Sequence, residues 1–89
     1  MNPTSQNPSN VVLITGAAGG IGRAAVQLFT QNGWCVIGVD RNSFGEAFPE
    51  NGLFIQSDIS APENLEYIFT RAQEFSGQLK ALVNNAAIQ

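Results

Sequence analysis

Eight residues near the start of the chain, Thr15-Gly16-Ala17-Ala18-Gly19-Gly20-Ile21-Gly22, combine backbone freedom with an almost complete lack of bulky side chains. A stretch of this kind suits the approach of main-chain amides to an anion. Gly16 permits a tight turn, Gly20 leaves room for a pyrophosphate against the backbone, and Gly22 lets a following helix pack closely on a sheet. Amides at a helix start have no partners within the helix and lie at the positive end of its dipole, so they would face that anion. A glycine-rich turn that binds nothing is the plain alternative, and it weakens if a strand precedes the turn and a helix follows it. Asp40 lies about 20 residues beyond the glycines, where a carboxylate can accept hydrogen bonds from both hydroxyls of an adenosine ribose. The same charge would repel a 2′-phosphate at close range, which favours NAD over NADP. Asp40 as an ordinary acid at a turn is the competing account. Arg41 is the one nearby cation that could favour NADP, although a solvated surface side chain is its simpler reading.

The elements that must position these residues follow from hydrophobic patterning. Val11 to Thr15 is a short apolar run rich in β-branched residues and stops at the glycines, as a strand buried on both faces would. From Gly20 the apolar positions Ile21, Ala24, Ala25, Leu28 and Phe29 have helical spacing, closed by Asn32-Gly33, where glycine can take the left-handed conformation of a C-cap. Trp34 to Val39 is apolar again and ends at Asp40. Strand, helix and strand within about 30 residues fit a right-handed crossover, so the first two strands should be parallel. Arg41 to Gly52 contains Gly45, Pro49 and Gly52 and shows little periodicity, so it is expected to be loop with at most a turn or two of helix. Leu53 to Gln56 is the next strand. Ser60-Ala61-Pro62-Glu63 then reads as a capping box, with Ser60 capping a helix and Glu63 returning the bond. That helix presents Leu65, Ile68, Phe69, Ala72 and Phe75 and ends at Gly77, and Leu79 to Val83 forms a fourth strand before Asn84-Asn85. The expected class is α/β, a parallel sheet with helices on both faces.

Composition excludes several roles. In 89 residues, 44% are hydrophobic and 12% charged, which suits one modest core and argues against intrinsic disorder. Four basic against seven acidic residues give a net charge of −3 with no basic cluster, so neither nucleic acid nor an anionic membrane is an expected partner. Met1 to Asn10 is polar and lacks the basic and apolar regions of a secretory signal, and it is expected to be a flexible tail before a domain over residues 11–89. No apolar run reaches the roughly 20 residues needed to cross a bilayer, and a single Cys35 cannot form an internal disulfide, so a cytoplasmic location is expected. Cys35 reads most simply as a small buried hydrophobe, and Trp34 and the six phenylalanines as core or loop packing. No histidine is present and no cysteine cluster could hold a metal.

Four motifs in order, the Thr15 to Gly22 turn, Asp40, Asp58-Ile59-Ser60 and Asn84-Asn85-Ala86, resemble those of the short-chain dehydrogenases/reductases. The resemblance covers nearly everything after the tail. It implies a Rossmann-like sheet of strand order 3-2-1-4 and a dinucleotide cofactor. It further implies that Asp58 bonds the adenine amino group, that Ile59 lines the adenine pocket, and that Asn85 and Ala86 steady the central strand beside the cofactor. NADP-preferring members often carry a basic residue just before the second motif glycine; Gly19 stands there in this chain. Two departures touch local detail: Ala87 replaces the glycine usual after the Asn-Asn-Ala step, and Lys80 stands where an acid is common. Taken singly, Asp58 reads as a helix-entry acid and Asn84-Asn85 as strand-end turn residues.

The family's Ser, Tyr and Lys set, with Tyr-x-x-x-Lys spacing, has no match here. Tyr67 is the only tyrosine, is followed four residues on by Arg71, and falls on a helix before the fourth strand. No catalytic residue is therefore assigned. The fourth strand is apolar in both directions and nothing after it could cover its edge, which signals truncation. Together with the resemblance, this implies the cofactor half of an oxidoreductase that transfers hydride between a nicotinamide and a carbonyl or alcohol. A homo-oligomeric complete enzyme is compatible with that. A stand-alone nucleotide-binding module and a structural subunit completed by a partner's strand stay open beside it.

Overall fold

The computed structural model describes residues 10–76 and 79–85. The elements are β1 (Val11–Thr15), α1 (Gly20–Gln31), β2 (Cys35–Asp40), β3 (Leu53–Gln56), α2 (Pro62–Ser76) and β4 (Ala81–Asn84). The strands form one sheet of order β3-β2-β1-β4, as the family resemblance implies. Every pairing is parallel, with Leu13 beside both Ile37 and Leu82, and Ile37 beside Leu53.

Because side chains alternate along a strand, the continuous apolar runs of β1 and β2 serve two cores at once. Val11, Leu13, Cys35, Ile37, Val39 and Ile55 pack with Ile68 and Ala72 of α2. On the opposite face Val12, Ile14 and Val36 pack with Val26 of α1 and Phe44. The helices thus cover opposite faces. Full burial of an aliphatic side chain stabilises by roughly 1.5–3 kcal/mol, so the all-buried β1 is the most stabilising segment for its length.

No helix lies between β2 and β3. The loop instead folds back on the α1 face, where Phe44, Phe48 and Phe54 form an aromatic cluster with centroids 4.9–5.7 Å apart. Gly38 of β2 makes room for it, since a Cβ there would stand 2.9 Å from both the Phe48 ring and the Ala17 methyl. The aromatics do the covering that a helix would do.

Several sequence expectations require correction. In α1 the buried residues are Gly22 and Val26, whereas Ile21 is 78% and Leu28 60% exposed, and Ala24 is exposed too. The tight seat of Gly22 on the turn sets the rotation of the helix, so the position one turn on, Val26, faces the sheet. Trp34 precedes β2 and packs edge-to-face on Phe29, with centroids 5.1 Å apart. In α2 only Ile68 and Ala72 of the expected face are buried; Leu65, Phe69 and Phe75 are more than 40% exposed. Ser60 does not cap α2: the helix starts one residue too late, at Pro62, and the Ser60 amide that Glu63 would have accepted from already donates to Asp58 Oδ1, as does the Ser60 hydroxyl at 2.7 Å. Proline at a first helical position lacks only an N–H that would have no helical partner. β4 begins at Ala81, two residues later than expected, although Lys80 N–H already donates to Val11 O. Gly33 does take the left-handed conformation, at φ +83°, and Asn32 closes the helix by donating to Leu28 O. The tail before Asn10, the Gly77 helix end and Ala87 lie outside the described residues.

Candidate functional site

The glycine turn is built on two contacts that tolerate no side chain. Gly16 sits at φ +68°, a region that disfavours any residue with a Cβ. A Cβ on Gly22 would stand 1.9 Å from Gly16 O, so α1 rests directly on the turn. Gly20 differs, because a Cβ there would meet nothing within 4 Å. No packing inside the described protein accounts for a glycine at that place. Helix α1 has no side-chain cap and no acid in its first turn. The amides of Gly20, Ile21 and Gly22 consequently have no hydrogen-bond partner among the described residues. They form a positively polarised surface beside exposed Gly19 and Gly20.

A cavity of about 180 Å³ opens at the carboxyl ends of β1, β2 and β3. Its lining is Gly16, Val39, Asp40, Arg41, Ser57, Asp58 and Ile59. Five residues selected from the sequence therefore meet around one space. Val39 and Ser57 were not selected: their polarity and type carry no signal, and only the parallel register of β2 and β3 brings them in. Asp40 is anchored on both oxygens, Oδ2 accepting from Ala18 N–H and Oδ1 from Asn42 N–H, each at 2.9 Å. Asp58 Oδ1 accepts from both the amide and the hydroxyl of Ser60. These two bonds, the hydroxyl first, hold its carboxyl below the usual range, with a smaller contribution from the Arg41 charge. Arg41 is exposed, and its carbonyl accepts from Gln56 Nε2.

Thr15 lies on the other side of the turn. Its hydroxyl accepts from Asn85 N–H at 2.9 Å and lies 3.1 Å from Asn84 Oδ1, while Asn85 Nδ2 donates to Gly16 O at 3.3 Å. Asn85 thus braces the turn and does not line the cavity; nor do Thr15, Gly20, Ile21 or Gly22. Ala86 lies outside the described residues. Arg23, which belongs to none of the motifs, reaches across the turn: Nη2 donates to Ala18 O and Phe44 O, and Nη1 pairs with Glu46 at 3.0 Å. One basic residue in a helix gives no hint of such a role without the fold of the loop after β2. Cys35 is buried, donates to Asn51 O, and has its thiol pKa raised by burial. Among the described residues no group of acidic, Cys or His side chains could hold a metal ion, and no helix is long and apolar enough to cross a membrane.

Comparison with known proteins supplies a family. A family model described as short chain dehydrogenase matches residues 10–89. 15-Hydroxyprostaglandin dehydrogenase (NAD(+)) of Bos taurus is 39% identical, over 88% of this chain and 33% of that protein. An uncharacterized short-chain type dehydrogenase/reductase of Sinorhizobium fredii is 33% identical, over 99% of this chain and 17% of its own length. Among solved structures, 3-ketoacyl-(acyl-carrier-protein) reductase from Brucella melitensis, complexed with NADH, superposes with a TM-score of 0.83. It is 33% identical, and the match covers 90% of this chain and 35% of that one. The chain therefore spans about a third or less of these relatives' length.

Proposed function

The chain belongs to the short-chain dehydrogenase/reductase family, and from that premise we propose that the cavity beside Asp40 holds the adenosine half of NAD. The observation that carries this is the convergence of Gly16, Asp40, Asp58 and Ile59 on one space at the carboxyl ends of the strands. Open parallel sheets place their ligands at this end, where the strand order reverses about β1. The residues fit such a group. Ile59 offers an apolar wall to a flat ring, and Asp58 offers a carboxylate oxygen to its amino group. Asp40, already oriented by two amides, accepts from the ribose hydroxyls. The unpartnered amides at Gly20, Ile21 and Gly22 take the pyrophosphate, which the open space at Gly20 admits. Thr15 and Asn85 act behind them by holding the end of β1 in place.

In the whole protein the bound nicotinamide supplies hydride exchange with a carbonyl or alcohol. The residues of this chain bind and orient the cofactor; none is assigned as acid or base, and residues 11–89 are read as the cofactor part of a larger dinucleotide-binding domain. A cytoplasmic location, no nucleic-acid or membrane partner, and a homo-oligomeric whole protein complete the proposal. Calorimetric titration with NAD and with NADP tests it. NAD is expected to bind more tightly, because a 2′-phosphate would meet the Asp40 carboxylate. Tighter NADP binding would transfer the discriminating role to Arg41, and absence of binding to either would remove the function.

A further inference from the structure

We propose that Arg23 is a positioning residue for Asp40, and that through it the turn and the loop after β2 together set the preference for NAD over NADP. The inference rests on the cofactor reading above. Its basis is a closed ring of contacts in which every link is a hydrogen bond or a short piece of chain. The Asp40 carboxylate takes one N–H from Ala18 and one from Asn42. Ala18 is held from behind, since its carbonyl accepts from Arg23 Nη2 at 3.2 Å. Asn42 stands two residues before Phe44, whose carbonyl accepts from the same Nη2. The guanidinium also lies 4.1 Å from the centroid of the Phe44 ring and pairs with Glu46 Oε2. One planar cation thus bonds the residue that carries one donor and the chain two residues beyond the other.

The chemistry suits arginine more than lysine. Two carbonyls, a carboxylate and an aromatic face are met at once, which a planar fork with five donors can do and a single ammonium cannot. The side chain is 30% exposed, so its bonds are partly shielded from water. Without it, the loop after β2 would keep the packing of Phe44, Phe48 and Phe54 and the contact of that cluster with Ala17, but lose its hydrogen-bonded tie to the glycine turn. The carboxylate would then sample positions away from the ribose hydroxyls. An ordered carboxylate gains two hydrogen bonds from NAD and repels the phosphate of NADP; a loose one does both less well.

The test is titration of NAD and NADP against the wild-type protein, Arg23→Gln, Arg23→Lys, Asp40→Asn and the double variant Arg23→Gln/Asp40→Asn. Arg23→Gln is expected to raise the Kd for NAD roughly tenfold and to leave that for NADP within about twofold, with Arg23→Lys restoring only part of the loss. In the Asp40→Asn background, Arg23→Gln should not change the ratio further, because two residues acting on one ligand group are not additive. Equal weakening of both nucleotides would mark Arg23 as merely structural and overturn the inference, as would an unchanged ratio. If circular dichroism shows Arg23→Gln unfolded, Glu46→Gln serves instead. It loosens the same guanidinium from an exposed partner, and an unchanged ratio there likewise overturns the inference. If wild-type protein binds neither nucleotide, the cofactor reading itself has failed and this inference falls with it.

Discussion

The glycine turn is held from two sides, and the two holds differ in chemistry. Toward β4 they are neutral: the Thr15 hydroxyl, the Asn85 amide and the Asn85 side chain on Gly16 O. Toward β2 they are charged: the Asp40 carboxylate on Ala18 N–H and the Arg23 guanidinium on Ala18 O. A neutral hydrogen bond contributes about 0.5–1.5 kcal/mol and one to a charged group about 1.5–3 kcal/mol. More important than strength is what each can sense. A hydroxyl or amide fixes the backbone whatever binds, whereas a carboxylate at the cavity distinguishes a hydroxyl from a phosphate. On the proposed cofactor reading, one side of the turn is structural and the other selects.

The glycines provide the sharpest way to break that division. Gly22→Ala would drive a Cβ into the Gly16 carbonyl, so α1 must lift from the turn. We expect a loss on the order of 3 kcal/mol, a fall in melting temperature of roughly 15 °C, measurable by thermal circular dichroism. Gly20→Val places its side chain in open space and should leave stability within about 0.5 kcal/mol, yet weaken NAD roughly 100-fold where the pyrophosphate needs that space. A folded Gly20→Val protein with unchanged affinity would take the turn out of the binding site.

A smaller pair of effects compares the two holds directly. Thr15→Val removes the neutral hydroxyl and leaves Asn85 N–H without its partner, for a cost of about 1–3 kcal/mol. The ratio of NAD to NADP affinity should not move. Asp40→Ala frees Ala18 N–H near solvent at a comparable or lower cost, but should narrow that ratio about tenfold. Denaturant midpoints and calorimetry on the same two variants measure both quantities. A changed ratio in Thr15→Val would erase the distinction between the two sides.

What could be read from the residues, and what could not, follows the range of the interactions. The glycine turn, the carboxylate of Asp40 and the Asp58-Ile59 step are local in sequence, and the structure gathers Gly16, Asp40, Asp58 and Ile59 around one cavity. The alternation of strands and helices was equally legible, because continuous apolar runs, helical spacing and the glycine and polar breaks between them mark the type of each element. The rotation of α1 was not, since Ile21 and Leu28 are apolar and yet exposed, and the helix is oriented by a residue with no side chain at all. Arg23 was illegible for a related reason. Its partners lie in a loop whose fold depends on the cluster of Phe44, Phe48 and Phe54, with Phe48 seated over Gly38, and no short-range pattern announces that packing. The Ser60 capping box failed because the Asp58 carboxylate two residues back takes the Ser60 amide that Glu63 would need, and the helix begins beyond Ser60's reach, at Pro62.

That competition yields the smallest expected effect, and it concerns the charged side alone. The Asp58 carboxyl lies below its ordinary value of 3.8, with the Ser60 hydroxyl the largest cause, the Ser60 amide next, and the Arg41 charge smaller. A carboxylate whose pKa is lower folded than unfolded contributes stability that is present above the unfolded value and is lost as pH falls through the folded one. The change therefore belongs to acid conditions below about pH 4 and leaves neutral stability untouched. Because the group is only partly buried and water screens it, the loss of stability is slight and the pKa itself is the better readout. Carboxyl-carbon NMR titration should show Asp58 moving up toward 3.8 in Ser60→Ala, and moving less in Arg41→Gln. If Arg41→Gln produced the larger shift, the local field at the cavity would be governed by the cation and not by the turn. Arg41 would then become the residue to test first for its effect on a 2′-phosphate.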